Sequence, residues 1–512
     1  MYRQNRYDAC IKEVKSKLKR FPNSLHLLNY QAMAYSALKK DGEALESYQK
    51  IIKKDPSLAG PYYNMGIILR RNGRVEEAID SYKKAISLKP DYVQAYNNLG
   101  VLYKDNKKYD DAIPMFMKAK ELQPDHQNSY YNLALIKKEQ GLDEEAVELL
   151  LKVLDINPEH NGARYKISVT KFDNGLLEES KKYLQEILIS DETHEGAAKY
   201  LAFIALKQVR FQEVWKYYEY RWKVSPGNKE IWPFEDKPLW KGEKGSKVVL
   251  WREQGIGDDI IFLSLAPEVK KMCETLSVYV DPRLHSLCKR AMPEINFVND
   301  KEELKEVESD YHLPMGSVPG LIRNDISDFD RTVTGYFKAD PQRVEAIRNE
   351  LGLDGKAVIG VSWKSFESLN HTKKSIHLRD MERIFTGLDI VLVNLQYGDV
   401  DEEIREFKEA TGIDVLQCAS VDNREDLDGL AALIEVCDLV VSTTNVTVHM
   451  SGALAKETWV LLPYVANFWW LLERTDSVWY PSSTLYRQPA LKDWDSVYAS
   501  IRKDLQRKLA NT

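Results

Sequence analysis

The sequence predicts a two-part fold of class α + α/β: a solenoid of paired helices, then two doubly wound α/β units in tandem. Three observations predict it. One pattern recurs six times at a step of 34 residues in the first half of the 512-residue chain. Over the second half, short runs rich in valine and isoleucine alternate with amphipathic segments of helical length. A polar, proline-punctuated stretch separates the two halves, and the chain is too long for a single core.

Each repeat carries a small residue at one slot (Ala32, Gly66, Gly100, Ala134, Ser168, Ala202) and at a second (Ala44, Ala78, Ala112, Ala146, Ser180, Val214). Proline fills a third at Pro56, Pro90, Pro124, Pro158 and Pro226, with Glu192 as the one lapse. Large side chains such as Tyr82 and Phe116 stand four residues after the second slot. Small residues let two antiparallel helices approach, and proline ends the second. These slots resemble those of tetratricopeptide repeats. The resemblance implies a superhelix over residues 1–226 whose concave surface holds an extended peptide. Cys10 and Pro22 fall 34 residues before Ala44 and Pro56, so the array opens mid-repeat, as a capping half-repeat or as a shortened start.

A net charge of -6 argues against general nucleic-acid binding. Met1 to Phe21 lacks the apolar core of a signal peptide. The most apolar stretch, Thr458 to Leu472, is broken by Pro463 and Asn467 and is too short to span a bilayer. Five cysteines (Cys10, Cys273, Cys288, Cys418, Cys437) lie far apart, without metal-ligand spacing. The expectations are a reducing cytoplasm and no metal site.

Residues 227–246, with Trp232 and Trp240, read as a linker. A first α/β unit, 247–339, offers strands at Val248 to Trp251, Leu276 to Val280, Ile295 to Val298 and Asp310 to Pro314. A second, 340–490, offers Val358 to Trp363, Ile390 to Leu395, Val415 to Cys418, Leu439 to Ser442 and Trp459 to Leu462. Helices Asp401 to Ala410 and Asp426 to Val436 alternate with them. Doubly wound sheets bind ligands at strand C-terminal ends, which places the sites in a cleft between the units.

The first such end, Glu253 to Asp259, has two glycines between strand and helix, which allow a tight turn and leave N–H groups facing the cleft. It is not the dinucleotide fingerprint. Asp258 or Asp259 reads equally as an N-cap or as a general base. The second end, Ser442 to Leu454, puts Thr444, Asn445 and Thr447 at a helix start with His449 one turn inside. Its N–H groups and dipole suit a phosphate, to which His449 would donate; the alternative is a satisfied core histidine.

The runs EQGIGDDIIF (Glu253 to Phe262), GVSWKS (Gly360 to Ser365), NLQYGD (Asn394 to Asp399), DLDGLAALI (Asp426 to Ile434), TVHMSGALAKETWVLLP (Thr447 to Pro463) and DSVWYPSSTLYRQ (Asp476 to Gln488) occur in this order. Together they resemble the catalytic half of bacterial tetratricopeptide-repeat glycosyltransferases, relatives of the heptosyltransferases. The resemblance implies a GT-B fold of two Rossmann-like domains. It also implies inverting transfer of a sugar from a nucleotide-activated donor to a protein acceptor such as flagellin. The nucleotide-sugar is a co-substrate, and neither metal nor cofactor is implied.

On this resemblance Asp258 deprotonates the acceptor hydroxyl, with Asp259 in reserve and Gly255 and Gly257 shaping the loop. Donor binding falls to Trp363, Lys364, Ser365, Gln396, Thr444, Asn445, Thr447 and His449, with Lys364 neutralising diphosphate charge. Lys373 and Lys374 are secondary candidates. The helix Trp494 to Leu509, within 491–512, is expected to cross back onto the first α/β unit. Two departures stand out: Thr444 where relatives often carry aspartate, and Trp469 where arginine is expected. The first leaves a non-catalytic scaffold as an alternative; the second reads as altered sugar or base recognition or as a packed core segment. A lipid or polysaccharide acceptor is a third reading. Asn64, Asn98 and Asn132 form a row suited to gripping a peptide backbone, as in O-linked N-acetylglucosamine transferase, or to packing between helices.

Overall fold

The computed structural model describes residues 6–224, 233–234, 237–331, 334–353, 355–364, 375–464, 466, 468–471, 474–490 and 493–511. They form two compact units, Met1–Ser190 and Asp191–Thr512, so the division falls inside the predicted array.

Eleven helices among the described residues, from Tyr7–Arg20 to Leu177–Ser190, build the first unit. The repeat period has a steric cause. A Cβ on Gly66 would lie 2.6 Å from the Tyr82 ring, and one on Gly100 2.8 Å from the Phe116 ring. The small slot is therefore the seat of the large one, and both rings are fully buried. Asp55 and Gln123, which cap helices Asp41–Lys54 and Tyr109–Leu122, take the extended backbone that a following proline imposes. One regularity is hidden in the sequence. Lys39, Gly73, Lys107, Gly141 and Gly175, also 34 apart, all sit in left-handed backbone with φ between 56° and 78° in the turn between paired helices.

The second unit opens with helices Glu195–Lys207 and Phe211–Tyr218 and a short helix Arg221–Val224. Val209 continues the left-handed series with φ 57°, a strained choice for a β-branched residue. Its side chain is half exposed, so little packing is at stake. Val209→Gly is expected to stabilise this unit by about 1 kcal/mol, strain relief outweighing glycine's unfolded-state entropy. A lower thermal midpoint for the variant would contradict this.

Two all-parallel sheets follow. The first comprises β1 (Lys247–Trp251), β2 (Thr275–Tyr279), β3 (Asn296–Val298) and β4 (Tyr311–Pro314), in the order β3-β2-β1-β4. The second comprises β5 (Ala357–Ser362), β6 (Ile390–Asn394), β7 (Val415–Leu416), β8 (Leu439–Thr443), β9 (Thr458–Leu462) and β10 (Ser483–Arg487), in the order β10-β9-β8-β5-β6-β7. That order is the one doubly wound dinucleotide-type sheets adopt. Each sheet reverses beside its first strand, between β1 and β4 and between β5 and β8, where such sheets open a crevice.

Two expectations are corrected. Part of the stretch read as a linker belongs to the fold: Leu239 bridges His312 at the β4 edge, and Trp240 is buried with Val248 and Leu250. Trp232 lies outside the described residues. The last helix, Trp494–Ala510, does not cross back onto the first sheet. Its apolar face (Val497, Tyr498, Ile501, Leu505) is buried with Ile359, Leu392 and Leu461, covering one face of the second sheet. Among the described residues no helix is long and apolar enough to cross a membrane.

Candidate functional site

The C-terminal ends of β1 and β8 bring two helix N-termini together. Helix Ile256–Leu263 follows β1 with Gly255 as its N-cap. Helix Val446–Ala453 follows β8 with Asn445 as its N-cap, whose Oδ1 accepts from Thr447 N at 3.0 Å. They meet at Gly257, where a Cβ would stand 2.9 Å from the His449 ring. Two positive dipole ends thus converge on one spot, an electrostatic setting that favours an anion.

Because Gly255 is the cap, neither Asp258 nor Asp259 serves as one; both lie in the first turn. Asp258 is half-buried, and its Oδ1 accepts from Trp469 Nε1 at 3.1 Å. Asp259 is 1% exposed and accepts from Arg252 Nε at 2.6 Å. Burial pushes its carboxyl up to about 7 against the pull of that guanidinium. Arg252 also pairs with Asp281 at 3.1 Å. Asp259 is thus tied into the first sheet's interior, and Asp258 is the carboxylate left half-buried.

On the second sheet, Ser362 Oγ and the backbone N–H groups of Trp363 and Lys364 each donate to Gln396 Oε1 at 2.9 Å. Asn445 Nδ2 donates to Ser362 Oγ at 2.6 Å and Lys364 O at 3.2 Å, and Thr447 Oγ1 to Leu395 O at 3.2 Å. These bonds lace the ends of β5, β6 and β8 together. The Trp363 ring, expected at the donor, is instead fully buried, and its Nε1 donates to Glu403 at 2.6 Å. Lys364 rests its ammonium on the same carboxylate. The polar atoms of Gln396, Asn445 and Thr447 are likewise engaged inside the protein, because strand ends leave buried N–H and C=O groups that require partners. Two hydroxyls differ. Thr443 and Thr444 Oγ1 are buried with no partner among the described residues, just before the helix.

His449 is oriented by a hydroxyl: its Nδ1 lies 3.1 Å from the Tyr480 oxygen. Tyr336 nearby donates to Ile260 O at 2.6 Å. The other edge of the imidazole faces Gly257. Trp470 stacks on the imidazole at 5.6 Å. Trp469, at the position expected to be arginine, is 3% exposed and meets Tyr218, Phe262 and Trp479 ring to ring at 5.3–5.8 Å. Arg487 Nη2 donates to Leu471 O at 2.7 Å, fixing the turn that carries both tryptophans.

Ser365, Lys373 and Lys374 lie outside the described residues. In the repeats, Asn98 Nδ2 donates to the Tyr63 hydroxyl at 3.1 Å and Asn132 Nδ2 to Asn128 O at 2.9 Å. Asn64 is half-buried, and Asn132 is buried. Sequence reasoning overlooked Glu403, Tyr218 and Arg221. Only the unusual aromatic density of Trp215 to Trp222, high for a repeat helix, hinted at the last two.

Family models described as tetratricopeptide repeat match residues 30–57, 47–80 and 91–159, and one described as TPR repeat matches 66–107. The first helical region is accordingly built of tetratricopeptide repeats. The chain is 27% identical over 328 residues to Protein FlbA of Caulobacter vibrioides, a match covering 60% of this chain and 54% of that protein. It therefore spans about half the length of that curated relative, and the matched share exceeds what the repeats occupy. Among solved structures it is similar to MamA (28% identity, 31% of this chain and 92% of that one, TM-score 0.29). It is also similar to YrrB, a TPR protein with an unusual peptide-binding site (21%, 36% and 95%, TM-score 0.31). PilF of Pseudomonas aeruginosa is a third (16%, 40% and 96%, TM-score 0.36).

Proposed function

We propose that the chain is a glycosyltransferase of GT-B type that moves a sugar from a nucleotide-activated donor to a protein acceptor, flagellin-like, docked on the repeats. The observation that carries this reading is the close approach of Gly257, beside Asp258, to His449 in helix Val446–Ala453, before which the Thr443 and Thr444 hydroxyls lack partners among the described residues. Those hydroxyls and the helix N–H groups would hold the donor diphosphate. Asp258 would take the proton of the acceptor hydroxyl as its oxygen attacks the anomeric carbon. The bond from that carbon to the diphosphate breaks in the same step, and the nucleoside diphosphate leaves. For this, Asp258 must exchange its Trp469 partner for the acceptor.

A second reading, a non-catalytic scaffold, draws on the internal engagement of Lys364, Gln396 and Asn445. Thermal-shift titration with UDP, GDP, ADP, CMP and their sugar conjugates separates the two. A nucleotide at 100 times its dissociation constant adds about 2.7 kcal/mol. Stabilisation of wild type and Asp258→Asn but not of His449→Ala is the expected result; no stabilisation by any of them favours the scaffold.

A further inference from the structure

The loop that carries Asp258 is held from outside its own sheet. Glu253 receives Arg221 Nη2 at 2.8 Å and Nε at 3.2 Å, together with the Gly316 N–H at 3.1 Å. Gln254 Nε2 donates to the Tyr218 hydroxyl at 2.5 Å. The Arg221 guanidinium lies 4.3 Å from the centre of the Tyr218 ring. That ring meets Trp469 edge-on at 5.8 Å, and Trp469 is the side chain whose N–H is bonded to Asp258. Tyr218 therefore touches both supports of the carboxylate. Its hydroxyl reaches the turn that aims helix Ile256–Leu263, and its ring backs the indole that holds Oδ1. Burial pushes the Tyr218 phenol well above its usual value, so it keeps its proton.

We propose that Tyr218, in the last repeat helix Phe211–Tyr218, is a positioning residue for Asp258. This rests on the glycosyltransferase reading and deepens it: the last repeat is a component of the site as well as of the array. The geometry of a general base is exacting, and displacement by about 1 Å costs up to 100-fold in rate. Gln254 and Glu253, which belong to the run resembling glycosyltransferases, then act through Tyr218 of the repeat helix and through Arg221 just after it, and need not touch substrate.

The test uses the full chain and measures release of UDP or GDP from UDP- and GDP-sugars, with water or added peptide as acceptor. Tyr218→Phe keeps the ring and removes the hydroxyl; Gln254→Leu removes the other end of the same bond; Trp469→Phe removes the N–H. Tyr218→Phe and Gln254→Leu are each expected to lower kcat about 10-fold while donor KM stays within about twofold. Trp469→Phe is expected to move the acidic limb of the kcat/KM profile, which reports the free enzyme, up by about one unit, because a carboxylate that loses a donor holds its proton more tightly. Unchanged kcat in both Tyr218→Phe and Gln254→Leu, or a change confined to KM, overturns the inference while leaving the enzyme reading intact. If wild type neither releases nucleotide nor is stabilised by one, both fall together.

Discussion

Replacing Arg221 by alanine is expected to destabilise the Asp191–Thr512 unit by about 3–5 kcal/mol, the cost of stranding one member of a buried ion pair. The Arg221 and Glu253 side chains are 16% and 3% exposed. Burial already pushes the Glu253 carboxyl up, with Arg221 the main force opposing it. Without that guanidinium the folded-state pKa rises further above the unfolded value. The folded protein then binds a proton that the unfolded chain does not, and stability falls as pH rises through the window between the two values. Arg221→Ala should accordingly be less damaging near the lower end of that window than at neutral pH. Glu253→Gln added to Arg221→Met should recover much of the loss, since the amide still accepts from Gly316. Urea denaturation followed by tryptophan fluorescence measures all three; a loss below about 1 kcal/mol for Arg221→Ala would place the pair among surface-type bridges.

Gly452→Ala should have a comparable effect by a different route. The added Cβ would overlap Cγ and Cδ1 of Tyr480 and crowd its Cβ, which no side-chain rotation can withdraw. Overpacking of this kind costs about 3 kcal/mol in a rigid core, and Tyr480 is 1% exposed. Movement of Tyr480 also removes the partner of His449 Nδ1, so nucleotide stabilisation should fall along with the melting temperature. A variant that melts like wild type would show that the helix Val446–Ala453 can shift away from Tyr480.

Periodicity carried most of the fold. The repeat slots announced the paired helices, and short apolar runs, mostly rich in valine and isoleucine, announced β1 to β9, because parallel strands buried on both faces must be apolar along their length. β10 was overlooked because Ser483–Arg487 buries only alternate positions at the sheet edge. Strand order and the partner of the last helix depend on which apolar faces meet, and no local pattern records that. The site was legible in its loops but not in its bonding. Gly257, next to Asp258, packs against the His449 ring, whereas Gln396, Asn445 and Trp363 carry residue types suited to a ligand and use them on strand ends and on Glu403. Glu403 sits in an acidic run, Asp401 to Glu406, that reads as a solvated helix face. Tyr218 occupied a repeat slot already explained by packing, which hid its second contact.

The placement of the last helix has a mechanical consequence. With Trp494–Ala510 retained on the second sheet, the chain passes between the sheets once, between β4 and β5. There the Tyr336 hydroxyl bonds Ile260 O on one side, and Phe337 N bonds Ala453 O on the other. A second covalent strap would fix an axis of rotation; a single tether leaves the axis to noncovalent contacts. Those contacts include Arg290 with Asp428, His449 against Gly257 and Trp469 with Asp258. Because Trp469 follows β9 and Asp258 follows β1, any separation of the two sheets would break the bond that holds the Asp258 carboxylate.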